Sequence, residues 1–166
     1  MNIRLIILSV LLFFKCKDTD LIIENIDFSD SALEICLPNI SNKLFIKIKG
    51  SETLILVLSD NLPVEEGLSK RSFNADNYLL YRKYSDNLSS NYFCSIITPK
   101  SPVLITELIP VSGELEINTS LLFDENGDFL SVNYNLKIKD LLLQNENGDT
   151  LIQDTLEFGS LTFISI

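Results

Sequence analysis

SLLFDENGDFLSVNYNLKIKDLLLQNENGDTL, residues 120–151, is the stretch on which the fold turns. Within it Val132, Tyr134, Leu136 and Ile138 alternate with Asn133, Asn135, Lys137 and Lys139. A period of two places the apolar set on one face of a strand and the polar set on the other. On either side of this strand the word ENGD occurs, at 125–128 and again at 146–149. Asn-Gly at the centre of a two-residue connection is the strongest short hairpin signal, because a type I′ turn needs positive φ at both positions. The spacing therefore predicts a meander of strands over 114–123, 129–141 and 150–158. DENGD also carries the oxygen donors of a calcium loop. Its glycine precedes the last aspartate, however, and no glutamate stands at the twelfth position, so the turn reading is preferred.

Outward from the meander the alternation continues. In ELEINTSLLF, Leu115, Ile117, Leu121 and Phe123 oppose Glu114, Glu116, Asn118 and Ser120. KLFIKIK sets Leu44, Ile46 and Ile48 toward a core, with Lys43, Phe45, Lys47 and Lys49 on the other side. TLILVL at 53–58 is apolar on both faces and suits a central strand. Shorter strands are expected at 33–37, 78–84, 92–97, 103–109 and 161–165, and the polar stretch 61–77 reads as a long loop. No segment has a helical period. The fold class is all-β, an antiparallel two-sheet sandwich, with a small β-barrel as the alternative.

Composition narrows the chemistry. The 166 residues are 46% hydrophobic, enough for one domain with a core, and the net charge is −10. Such a charge repels nucleic acid, so none is expected as a partner. The chain has no histidine, which removes the Ser-His-Asp and Cys-His mechanisms and the commonest transition-metal ligand. Neither a metal site nor a cofactor is expected. Carboxylate pairs such as Glu65–Glu66, Glu114–Glu116 and Asp124–Asp128 are numerous, but a catalytic acid needs burial that no pattern indicates. No catalytic residue is assigned and a non-enzyme is expected.

The N-terminus speaks of location. Arg4 precedes LIILSVLLFF, residues 5–14, a run too short to span a bilayer but of the length of a signal-peptide apolar region. The following FFKCKDTD, residues 13–20, resembles a bacterial lipoprotein signal, in which the cysteine becomes the lipidated first residue of the mature protein. CKDTD is similar to the export signal that takes Bacteroidota lipoproteins to the cell surface. The resemblance makes residues 1–15 a signal peptide, Cys16 the lipidation site, 16–31 an acidic tether and 32–166 a single domain. Loss of Arg4 and Lys15 leaves 11 Lys+Arg against 23 Asp+Glu. With Cys16 assigned, Cys36 and Cys94 remain as an even pair in an exported chain, and a disulfide between them is expected.

The body also resembles a group of uncharacterised, chiefly flavobacterial, Bacteroidota lipoproteins. The likeness rests on Cys36, ETLIL, YRKY, NYFCSIITPKSPVLI, SGELEI, LKIKDLLLQNENGDTL and LEFG, spanning residues 33–159. It implies a location and a fold but no reaction: an outer-membrane, lipid-anchored module, surface-exposed in one version, with a periplasmic or secreted protein as the alternative. The densest aromatic and cationic patch is YLLYRKYSDNLSSNYF, residues 78–93. Tyr78, Tyr81, Arg82 and Tyr84 are its candidate ligand-binding residues, fitted to stack a sugar or grip an anionic group. The function expected is non-catalytic binding or support in the envelope, with a protein or glycan partner. A carbohydrate-binding module and a carboxylate-dependent hydrolase are the alternatives.

Overall fold

A computed structural model describes residues 26–36, 43–59, 61–95, 97 and 99–164. Cys16 and the expected signal peptide lie outside the described residues. The protein is all-β and antiparallel, as the alternation requires. The strands are β1 (Glu34–Cys36), β2 (Lys43–Lys49), β3 (Glu52–Leu58), β4 (Gly67–Ser72), β5 (Asn77–Tyr84), β6 (Leu104–Phe123), β7 (Phe129–Gln144) and β8 (Thr150–Ile164). One helical turn, α1 (Ser90–Cys94), interrupts them. The strand order is β1-β2-β3-β5-β6-β7-β8, with β4 also paired to β6.

Two layers arise from this one sheet because its three long strands turn a corner. Buried Leu108 and Leu115 of β6, Ile138 and Leu141 of β7, and Leu151 and Leu156 of β8 are each an odd number of residues apart. Strict alternation would place the members of such a pair on opposite faces, so each strand loses one step of phase at this level. The register of β6 against β7 shifts at Pro110–Ser112 and again at Ser112–Glu114, and Asp140 adopts φ 50. Gly113 has φ 142, and a Cβ there would come within 3.1 Å of the Phe73 ring and 3.3 Å of Leu141. Bulges and bends of this kind are how strands pass between the layers of a sandwich. The separate strands expected at 103–109 and 114–123 are therefore one strand, as are those at 150–158 and 161–165.

The first layer contains β1, β2, β3, β5 and the near ends of β6–β8. The second contains β4 and the far ends of β6–β8. Between them lies one core, including Phe45, Leu54, Leu56, Leu79, Leu115, Ile117, Leu136, Ile138 and Phe158. In β2 the expected facing is reversed. Register places Phe45 with Leu56 and Leu79 on the core side, Lys47 follows on that face, and Ile46 is buried on the opposite one. GLSKRS was expected within a loop but forms β4, its backbone paired with residues 114–119.

The meander is present, with a different turn chemistry. Asn126 and Asn147 do not take positive φ, whereas Gly127 (φ 86) and Gly148 (φ 92) do. This is the longer hairpin connection ending in a glycine bulge rather than a type I′ pair. The residue ahead of each ENGD organises it. Asp124 Oδ1 accepts the N–H groups of Asn126 and Asp128, and Asn145 Oδ1 accepts those of Asn147 and Asp149, all at 2.8–2.9 Å.

Segment 26–33 closes the open side between β1 and β8. Ile26 and Phe28 belong to the core, the Ile26 N–H donates to Gln153 Oε1 at 3.2 Å, and Leu33 packs on Gly159. Two apolar side chains of the segment expected as a tether, Ile26 and Phe28, are thus buried in the core. Phe28→Ala should cost about 3–5 kcal/mol of stability in urea denaturation. A loss below about 1 kcal/mol, the range of an ordinary surface substitution, would return this segment to the tether.

Candidate functional site

Register fixes what lies on the outer face of the first layer. Cys36 pairs with Leu44, Leu44 with Val57 and Val57 with Tyr78, which makes one outward row. Ile46, Ile55 and Leu80 make the next, and Thr53, Arg82 and Glu107 a third. Ile46, Ile55 and Val57 are buried here, so this strand group is apolar on both sides, as TLILVL required.

The connection from Ser85 to Val103 is tied down over part of this face. Its ends are joined by Ser85 N–H to Val103 O (2.9 Å) and Val103 N–H to Ser85 Oγ (3.1 Å), and Leu88 N–H donates to Gly50 O (2.9 Å). Cys94, at the end of α1, forms the expected disulfide with Cys36, the Cα atoms 5.1 Å apart. Constraining a loop of this length stabilises a fold by about 4 kcal/mol in the chain-entropy account. The strand expected at 92–97 is replaced by α1, whose Tyr92 and Phe93 rings meet Tyr84 edge-on at 5.3 and 6.0 Å. The Tyr92 hydroxyl donates to Pro102 O at 3.0 Å.

The four candidate ligand residues are not brought together. Tyr81 points into the core and is only 8% exposed, on the face opposite Tyr78, Arg82 and Tyr84. Tyr84 is outward but 4% exposed beneath Tyr92 and Phe93, so it offers no open ring for stacking. Arg82 donates through Nε to Glu107 Oε2 in an ion pair across β5 and β6. Burial pushes the Tyr84 hydroxyl pKa up, and the neighbouring Arg82 charge pulls the other way.

Three concavities share this face. One of about 250 Å³ is lined by Arg82, Tyr84, Tyr92, Phe93 and Leu104. A second, of about 430 Å³, lies between Leu104, Ile105, Ile109 and Val111 and the 144–147 turn. The third, about 270 Å³, lies between Phe73, Tyr78, Leu80, Ile109 and Pro110. Leu104 joins the first two and Ile109 the last two, giving one continuous surface. Ile105, Ile109, Val111 and Ile152 are 45–61% exposed, far above what core-forming isoleucines show elsewhere in this chain. Sequence reading passed over these four. For the three on β6 the signal was present in VLITELIPV, residues 103–111, where apolar residues occupy both parities and so imply a second covered face.

The carboxylate pairs have other occupations. Lys70 bridges Glu114 at 2.6 Å and Glu116 at 3.0 Å. Hydrogen bonds from Asp128 and Asn126 hold the Asp124 carboxyl below its usual pKa, the reverse of what a general acid needs. Among the described residues, no group of three His, Cys, Asp or Glu side chains is placed to hold a metal, and no helix is long and apolar enough to cross a membrane. Comparison with protein-family models, curated proteins and solved structures gives no significant match.

A raised Tyr84 pKa has a sign-defined consequence. The phenol is neutral in the fold beyond the pH at which an unfolded tyrosine ionises, about 10, so its contribution is full below that pH and is lost as pH rises toward the folded value. Denaturant unfolding should show stability falling above pH about 10. Tyr84→Phe should flatten the fall, leaving what comes from the other groups that titrate there, Tyr134, also raised by burial, among them. An unchanged slope in Tyr84→Phe would contradict the burial of this hydroxyl.

Proposed function

We propose that this chain is an exported, lipid-anchored, non-catalytic binding module of the bacterial outer membrane, docking an envelope protein on the outer face of its first layer. The observation that carries the reading is the continuous apolar surface of Leu104, Ile105, Ile109 and Val111, with Ile152 exposed on β8 of the same layer, on a body of net charge −10. Contiguous exposed apolar surface on an otherwise charged protein marks an interaction site. The Cys36–Cys94 disulfide supports export, since such bonds persist in oxidising compartments. It also holds the Ser85–Val103 connection at the rim of the surface.

The lipid anchor at Cys16 rests on the resemblance of FFKCKDTD to a lipoprotein signal. Geometry adds a limit on reach. Ile26, the first described residue, lies beside Gln153, the neighbour of Ile152 in β8. Ten residues, 16–25, extend at most about 35 Å, so a module anchored at Cys16 would search only the zone close to its membrane. The partner that fits is an envelope protein presenting an apolar segment in that zone. Glycan binding loses support because Tyr81 faces the core and Tyr84 is covered.

Photo-crosslinking amino acids placed at Ile109 and Ile152 in the native host test this. A discrete envelope-protein adduct is expected from both sites, absent when the probe sits at Asn135 on the other layer and lost on Ile105→Asp. Equal labelling from Asn135, or no adduct from either isoleucine, would overturn the proposal.

A further inference from the structure

The second layer overhangs the first. Its core face, continuous through Leu115, Ile117, Leu136 and Ile138, runs on past Tyr134 to Leu121, Val132 and Phe163 and, beyond a register shift, to Phe123 and its cross-strand partner Phe129. The buried part is at 0% exposure, whereas Phe123, Phe129 and Phe163 are 38–50% exposed. Part of the overhang is roofed by the connection after β3, where the Tyr134 hydroxyl donates to Pro63 O at 2.8 Å, and there Val64 is itself exposed. Leu122, Leu130 and Ile164 add exposed apolar side chains around the same hairpin end, and the Phe123 and Phe129 rings meet at 6.0 Å. The tip of the β6–β7 hairpin is thus apolar on both faces, a pattern that strands show when both sides are covered. This surface is separate from that of Ile105 and Ile109, and its reading does not depend on the anchor.

Charge selects what covers it. Segments 61–69, 119–136 and 160–164 frame the overhang and contain Glu65, Glu66, Asp124, Glu125 and Asp128, with no lysine or arginine. An anionic lipid surface would be repelled by these five carboxylates. A second copy of the chain would set them against the same five, and like charges across an interface disfavour association. We infer that the overhanging end of the β6–β7 hairpin docks a cationic amphipathic protein segment, apolar side chains seating on Phe123, Phe129 and Phe163 while its lysines or arginines meet the carboxylate rim. Rim charges of this kind act chiefly on encounter and salt dependence, and the apolar anchors on residence time.

The test uses the full chain and two synthetic amphipathic peptides, one of Lys and Leu and one of Glu and Leu, with affinity read by calorimetry. The Lys/Leu peptide should bind, more weakly as salt rises, and the Glu/Leu peptide should not. Neutralising Glu65, Glu66, Glu125 and Asp128 to their amides spares the Asp124 turn and should weaken binding about tenfold. Neutralising Asp30, Asp76, Glu146 and Asp154 elsewhere should change it less than about threefold. Phe163→Ser should also weaken binding, and Ile109→Ser on the other surface should not. Comparable losses from the two carboxylate sets would reduce the effect to net charge and overturn the inference. Undiminished binding by Phe163→Ser, or Glu/Leu binding as tight as Lys/Leu, would do the same. A dimer in light scattering that Phe163→Ser dissolves would assign the surface to a second copy instead.

Discussion

The corner shared by β6, β7 and β8 is the constraint on which the molecule depends. Each strand gives up one step of its in–out alternation at the same level, near Gly113, Asp140 and Asp154, and one sheet thereby supplies both walls of the core. Gly113 is required twice over, by its φ of 142 and by the Phe73 and Leu141 side chains where a Cβ would stand. With the corner in place, the near ends of the long strands turn Ile105, Ile109 and Ile152 outward on the first layer. The far ends carry Phe123 and Phe163 beyond the first layer's roof. Both apolar surfaces are consequences of strands longer than the core that they enclose.

The disulfide is the second fixed point. Cys36 belongs to the short edge strand β1, and Cys94 to a single helical turn that buries no side chain of its own. Neither element has enough packing to hold its place alone, and a helix this short is unstable without tertiary support. Joined, they close a chain separation of 58 residues and set Tyr92 and Phe93 over Tyr84. Segment 26–33 does the comparable task on the other side, filling the gap between the edge strands with Ile26 and Phe28. It also lies alongside β8, a long edge that would otherwise invite pairing with another chain.

What could be read from sequence was whatever local chemistry decides. The alternation in VNYNLKIK and the repeated Asn-Gly fixed the meander and its facing, because both signals act over a few residues. The disulfide followed from cysteine count. Tyr81 was misplaced because NYLLYRKY is apolar at both parities, and only the register with Leu54 and Leu108 shows which side is the core. The strand β4 was hidden because GLSKRS has little apolar content, and its pairing with β6 rests on the backbone ladder and the ion pairs of Lys70 with Glu114 and Glu116. The corner was hidden for the opposite reason: a lost step of alternation looks like the end of a strand. Roles for Asp124 and Asn145 were missed because attention fell on Asn-Gly rather than on the side chain that accepts the turn's N–H groups.

Export to an oxidising envelope, with the body held by Cys16 and locked by Cys36–Cys94, is the central claim, and it has a single direct readout. The native protein is extracted from its own membranes in detergent, without reductant, and its intact mass is measured. The account predicts a chain beginning at Cys16, heavier by two or three acyl chains with their glycerol and lighter by the two hydrogens of one disulfide. An unacylated chain cleaved elsewhere, or one carrying the full hydrogen count of free thiols, would contradict it.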